Sequence, residues 1–268
     1  MIVGHLSGRN LIKDPENIRE ITSLGIGVEI QLTSDVLDSL ILKEFGKIRK
    51  KAGEAHLTVH APFMDLNPGA LDPYILKATR DRFSEALTVA RVLKAEMSVF
   101  HTGYHPAKVD PVFNKWFEKA VETFLTVAEE SPCPIALENV FDETPEVLER
   151  FMERLPEKVG VCIDLGHLNL FSKVPLSSWF DSLGERIYEF HVHDNSGEKD
   201  EHAPVGKGNV KFDEFFSLLD TIKHKYIFNL ENKSPEGIEE SLRTLRRKGW
   251  LGKLGYTQMK FLNREQMR

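Results

Sequence analysis

The chain has 268 residues, of which 41% are hydrophobic and 28% charged, and its formal net charge is -6. That length suits one large α/β barrel or two small domains with room for a large core, and no run approaches the roughly 18 apolar residues of a membrane span. The opening "MIVGHLSGRN" has no basic region followed by an apolar one, which excludes a signal peptide; a basic footprint for nucleic acid is absent, although bound divalent cations would reverse the local field of a cleft and leave phosphate substrates open.

Short apolar runs alternate with longer amphipathic ones along the whole chain. Strands are expected at "MIVGHLS", "GVEIQL" (27–32), "HLTVHAP" (56–62), "MSVFHTG" (97–103), "PIALENV" (134–140), "VGVCIDLGH" (159–167), "IYEFHVHDN" (187–195) and "YIFNLENK" (226–233). Their richness in Val, Ile and Phe is that of parallel strands buried on both faces. Between them, "DPENIREITSL", "DETPEVLERFMERL" and "SPEGIEESLRTLRRKG" each start with a capping residue and an early proline, and the last stops at Gly249. Helices are also expected at 34–52, 72–94, 111–130, 176–183 and 212–223. Eight strands, each followed by a helix, predict a single-domain (β/α)8 TIM barrel over 1–250, with 251–268 as a C-terminal extension of undefined role. A doubly wound open sheet is the rival, disfavoured because no Gly-rich dinucleotide turn is present. Cys133 and Cys162 sit in apolar strand-like runs and read as reduced core residues of a cytoplasmic protein.

In such a barrel the active site forms at the carboxyl ends of the strands. Here strand three ends in His60, strand four in His101, strand five in Glu138, and strand six in Asp164 and His167. Strand seven ends in His191, His193 and Asp194, its loop carries Asp200 and His202, and strand eight ends in Glu231. Any one of these residues could be an ordinary rim histidine or a salt-bridge partner. Six consecutive strands presenting them at one end is a different matter, because carboxylates and imidazoles crowded in a barrel mouth are costly unless cations hold them together. Mixed His and carboxylate ligands suit Zn²⁺ or Mn²⁺ better than Ca²⁺.

The stretches "HAPF" (60–63), "HTGY" (101–104), "LEN" (137–139), "DLGH" (164–167), "HVHD" (191–194), "DEHAPVGKG" (200–208) and "LEN" (230–232), in this order, resemble the xylose-isomerase-like barrels over essentially the whole chain. That superfamily includes sugar isomerases and epimerases and endonuclease IV. In the epimerase branch the resemblance implies one divalent metal on Glu138, Asp164, His191 and Glu231. Glu138 and Glu231 then act as the catalytic acid and base across the substrate, and His167 contacts it. In the endonuclease IV branch it implies three zinc ions on His60, His101, Glu138, Asp164, His167, His191, Asp200, His202 and Glu231, so the metal count is one to three per chain. The strand-seven pattern of that superfamily, His-x-x-Asp, assigns the ligand role to His191. His193 falls outside both ligand sets and is placed, with His167, Lys207 and Phe63, on the substrate side.

Two departures from the superfamily pattern bear on the substrate. The Arg that follows the strand-seven acid in ketohexose epimerases is replaced by "NSGEK", which speaks against a standard ketohexose. The Gly-x-Gly turn carries Lys207 in place of Glu, which points to an anionic group nearby, against the plainer reading of a solvent-facing lysine. Phe63 and Met64 offer an apolar wall, or else lid packing. The preferred function is a metal-dependent sugar or sugar-phosphate isomerase or epimerase working through an enediolate. The alternative is an endonuclease IV-like phosphodiesterase at abasic DNA sites. Its full ligand set is present, but the loops after strands one and two offer only Arg9 and Lys13 to grip a DNA backbone. A non-catalytic sugar- or metal-binding barrel is the third possibility. No membrane partner is expected, and a homo-oligomer is compatible with the superfamily.

Overall fold

The computed structural model describes residues 1–255. Eight parallel strands close into a barrel in sequence order: β1 (Ile2–Leu6), β2 (Gly27–Gln31), β3 (Leu57–His60), β4 (Ser98–His101), β5 (Ile135–Glu138), β6 (Val159–Asp164), β7 (Ile187–Val192) and β8 (Ile227–Leu230), with β8 paired back onto β1. The helices are α1 (Gly8–Lys13), α2 (Asn17–Thr22), α3 (Ser34–Ser39), α4 (Leu42–Ala52), α5 (Pro73–Leu93), α6 (Val112–Glu130), α7 (Glu146–Arg154), α8 (Leu165–Phe171), α9 (Leu176–Leu183), α10 (Phe212–Leu218), α11 (Pro235–Arg247) and α12 (Trp250–Lys253). This is the single-domain (β/α)8 barrel expected from the sequence. Among the described residues no helix is long and apolar enough to cross a membrane.

Local signals worked where they matched backbone chemistry. Asp72 caps α5 by accepting from the backbone N–H groups of Tyr74 and Ile75, and Ser234 caps α11 by accepting from Gly237. They failed at two of the proline-containing starts. Asp14 does not cap a helix: it accepts the N–H of Glu16, and α2 begins only at Asn17. Asp142 bends back to the N–H of Val140, and α7 begins at Glu146. The expected helix over 34–52 is two, α3 and α4, separated by extended backbone at Leu40 and Ile41. The expected C-terminal extension begins inside α12, whose first residue, Trp250, stacks on Phe216 at 4.4 Å, and residues 256–268 lie outside the described ones.

The strands bury both faces, but the two faces differ. Outward residues such as Val28, Ile30, Phe190, Val192, Phe228 and Leu230 pack with the helices in the main core. Inward residues form a small apolar plug of Val3, Met97, Val99, Ala136, Cys162 and Ile227. Above it the inward positions turn polar: Glu29, Thr58, Glu189 and Asn229 are all fully buried. Side chains alternate along a strand, so the next inward positions are His60, His191 and Glu231. The apolar plug thus supports a polar layer, and that layer supports the strand-end cluster. Cys133 and Cys162 are free and buried, and burial pushes both thiols up, as suits core residues.

Candidate metal centre

The strand-end residues meet at the carboxyl mouth of the barrel. Glu138 is central. Its Oε2 lies 3.0 Å from His60 Nε2 and 3.2 Å from His101 Nε2, while its Oε1 lies 3.3 Å from His167 Nδ1 and 3.5 Å from His191 Nδ1. His191 Nδ1 is also 3.4 Å from Glu231 Oε2. Candidate ligand atoms of Glu138, Asp164, His191 and Glu231 lie within 4.8 Å of one another, as do those of His60, His101 and Glu138. All four residues of the first group are buried.

Three histidines share one design. His60 Nδ1 faces the carbonyl of Ala61 at 2.9 Å, His167 Nδ1 that of Asn139 at 3.0 Å, and His202 Nδ1 that of Glu231 at 2.8 Å. A carbonyl only accepts, so Nδ1 must carry the proton, and Nε2, which faces a carboxylate in each case, is the nitrogen left to take up a second proton or to ligate a cation. That is how metal-ligating imidazoles are held. Both ring nitrogens of His191, Nδ1 of His193 and Oε2 of Glu231 are buried without a hydrogen-bond partner. Polar atoms of this kind carry a desolvation penalty, which a cation in their midst removes. The donor set therefore fits one or more divalent ions.

The electrostatics agree. Burial alone would raise the Glu138 carboxyl, but His191 and His101 outweigh it and hold it well below the usual range. Glu231 is held low against burial in the same way, by His191 and His202. Burial would lower His202, but Glu231 and Asp200 raise it to about 9. These proton affinities mark nitrogens whose surroundings favour positive charge, supplied by a proton or by a metal.

A second group surrounds Asp200. His202 Nε2 lies 3.0 Å from Asp200 Oδ2, and His167 Nε2 lies 3.6 Å from the same oxygen. His193, which the sequence reading kept out of the ligand set, joins this group: its Nε2 is 3.2 Å from Asp164 Oδ2 and 3.7 Å from Asp200 Oδ1, and its ring stacks on His202 at 4.1 Å. His193, Asp200 and His202 form a compact candidate ligand trio. Gly166 makes room for it, since a Cβ at that position would stand 1.9 Å from the His193 ring.

Lys207 is placed differently from the sequence expectation. Its Nζ pairs with Glu240 of α11 at 2.7 Å, and its side chain is 56% exposed. The flanking glycines serve Asp194, whose carboxylate accepts the N–H groups of Asn195, Gly206, Gly208 and Val210. Gly206 has φ +87, and a Cβ on Gly208 would stand 2.1 Å from the Asn195 carbonyl oxygen, so both positions require glycine. "GKG" is thus a turn wrapped on Asp194, with its lysine turned outward. Phe63 does reach the site: it stacks on His101 at 4.1 Å and meets His60 edge-on at 5.3 Å, whereas Met64 is 70% exposed.

Sequence reasoning missed three inward residues. Glu29 Oε1 is 3.4 Å from His191 Nε2 and accepts from Asn229 Nδ2 at 2.6 Å, and Glu29 Oε2 accepts from Thr58 Oγ1 at 3.2 Å. Glu189 lies beneath His191, its Oε1 3.9 Å from His191 Nε2, and burial, then the neighbouring Glu29, push its carboxyl well up. His5 Nδ1 is 3.7 Å from Glu231 Oε1. The available signal was a polar residue at an inward position of an otherwise apolar run, Glu29 in "GVEIQL", Glu189 in "IYEFHV" and His5 in "IVGHL".

Asp142 is a further buried acid just behind the site. Burial pushes its carboxyl from 3.8 up to about 7, outweighing the N–H it receives from Val140. The folded chain therefore keeps a proton that the unfolded chain releases, and stability falls as pH rises from about 4 to about 7, then levels off. Asp142→Asn removes this fall. Chemical denaturation at about pH 5 and about pH 8 should show the parent losing roughly 3 kcal/mol more than the variant. Equal losses would mean that Asp142 titrates as an ordinary carboxyl.

Fold and site together define a parallel eightfold barrel with a His/carboxylate cluster at its carboxyl mouth. The chain belongs to the xylose isomerase-like TIM barrel family, whose model matches residues 23–248. An uncharacterized protein of Methanocaldococcus jannaschii is 32% identical over 193 residues, 68% of this chain and just under two thirds, 66%, of that protein. A probable endonuclease 4 of Chlorobium luteolum is 26% identical over 216 residues, covering 71% of this chain and 76% of its own. A solved D-tagatose 3-epimerase-like protein superposes with a TM-score of 0.78 at 26% identity, over 92% of this chain and 97% of that one.

Proposed function

We propose that this chain is a divalent-metal-dependent isomerase or epimerase of sugars or sugar phosphates. The observation that carries the reading is the pair Glu138 and Glu231. They stand on nonadjacent strand ends and both approach the same nitrogen, His191 Nδ1, at 3.5 and 3.4 Å. A substrate held at an ion in this group would have two carboxylates beside its reacting carbons.

Glu138, Asp164, His191 and Glu231 would hold the ion. When bound there, a divalent cation supplies Lewis-acid stabilisation of the enediolate oxygen. One glutamate takes the proton from the carbon next to the substrate carbonyl, and the C–H electron pair becomes the enediolate double bond. A proton from solvent, relayed through the other glutamate, is delivered to the opposite face of that carbon and inverts it. Return to the adjacent carbon instead moves the carbonyl. The carboxylates then re-equilibrate with solvent through the mouth. The Phe63 ring against His101 forms an apolar side to the pocket, which limits water near the carbanion-like centre. His167, tied to the Asn139 carbonyl, is placed either to bind a substrate hydroxyl or to serve the Asp200 group.

The metal-loaded chain, incubated in D2O with a panel of ketoses and ketose phosphates, should incorporate deuterium next to the carbonyl, as read by proton NMR. No exchange with any sugar, together with nicking of an abasic duplex, would reject this reading. The second reading, a multi-metal phosphodiesterase, is favoured by the His193–Asp200–His202 group, which a one-metal isomerase does not require.

A further inference from the structure

We propose that a hollow between the β1 and β8 loops seats a phosphate monoester, so that the substrate is a sugar phosphate rather than a free sugar. This rests on the isomerase reading and narrows it. The hollow, of about 360 Å³, touches His202 and Glu231 of the cluster on one side and Arg9, Lys13 and Lys233 on the other. Three cations with one carboxylate run against the balance of the chain, in which 41 acidic residues outnumber 35 basic ones. That single carboxylate, Glu231, already belongs to the metal group.

The cations are available. Arg9 makes one long contact, 3.6 Å to Asp35, with its side chain 77% exposed, and such pairs contribute little. Lys233 Nζ reaches the Asp200 carbonyl at 3.5 Å, and Lys13 has no carboxylate partner among the described residues. His5 lines the same hollow on its carboxylate side: its side chain is 9% exposed, and its Nδ1 stands 3.7 Å from Glu231 Oε1 and 3.8 Å from Glu29 Oε1, so the three cations lie beyond it. An adjoining hollow of about 510 Å³ shares Ser7, Arg9 and Gln31 and ends at Phe63, so there is room for a sugar beyond the phosphate. Lysines bind phosphate as point charges, and an arginine adds paired N–H donors. Three cations match one phosphate monoester and fall short of the row that a duplex backbone needs.

The test uses the metal-loaded full chain and the triple variant Arg9→Gln, Lys13→Gln and Lys233→Gln, all at exposed positions, with circular dichroism as the folding check. Inorganic phosphate is the calorimetric probe. The triple variant should bind it at least about tenfold more weakly, and the parent's preference for a ketose phosphate over the free ketose, at least about 100-fold in kcat/KM, should collapse towards parity. Phosphate binding that survives the triple variant but vanishes on metal removal would overturn the proposal. So would free ketose turned over as well as its phosphate, or weakening by Lys207→Gln instead. Phosphate binding lost in the triple variant, with no sugar turned over by the parent, would uphold the anion site and reject the isomerase reading alone.

Discussion

Glu138→Gln is expected to lower kcat/KM for any turned-over ketose by about 10³-fold or more, the range for losing a positioned proton-transfer group, with metal affinity falling as well. The argument is geometric. One buried carboxylate stands within 3.0 to 3.5 Å of four imidazoles, those of His60, His101, His167 and His191. The amide keeps the shape but cannot accept a proton at working pH. It also removes the negative charge and one ligand oxygen that the imidazoles of His60 and His101 face at Glu138 Oε2. Asp164 is not free to take its place, because it caps α8 through the N–H of His167 at 2.6 Å. Deuterium exchange and bulk metal content per chain provide the check. Turnover within about threefold of the parent would mean that proton transfer does not pass through this residue.

The paired change Asp200→Ala with His202→Ala is expected to divide the two readings. Asp200 reaches the cluster through His167 and His202, and its side chain is 40% exposed, unlike the buried Glu138 and Asp164. Neither residue belongs to the Glu138, Asp164, His191 and Glu231 group. A single-centre isomerase should therefore lose at most about tenfold in kcat/KM, while a multi-metal phosphodiesterase should lose about 10³-fold or more as one of its ions is released. His202 has φ +52 and already carries a Cβ there, so alanine adds little backbone strain. Metal analysis of parent and variant separates the cases: unchanged metal content with retained isomerisation supports the one-centre picture, and one ion fewer per chain supports the multi-metal one. Complete metal loss with abolished isomerisation would sink it.

Much of the site was legible because the chemistry repeats with the fold. His60, His101, Glu138 and Asp164 each end a strand, so naming the strands named the residues. Glu29, Glu189 and His5 were illegible for the opposite reason. Each sits inside a strand, where a polar residue short of the strand end looks like noise until the sheet closes and brings partners such as Asn229 and Glu29, 200 positions apart, to 2.6 Å. Lys207 was read as a hint of a nearby anionic group because it replaces the usual Glu between two glycines, and its partner in the structure is Glu240. Only the four N–H groups converging on Asp194 reveal that the glycines wrap a carboxylate and turn the lysine towards Glu240.

By itself, then, the sequence determined the barrel, the end of it that carries chemistry, and the residue types gathered there. Those follow from short-range rules, in which strand period and helix signals repeat at fixed spacing. The tertiary structure decided that His193 faces Asp200, that Glu29 and Glu189 underlie His191, and that Arg9, Lys13 and Lys233 share a hollow beside Glu231. Those depend on loop paths and on barrel closure between β8 and β1, contacts through space that no local pattern encodes.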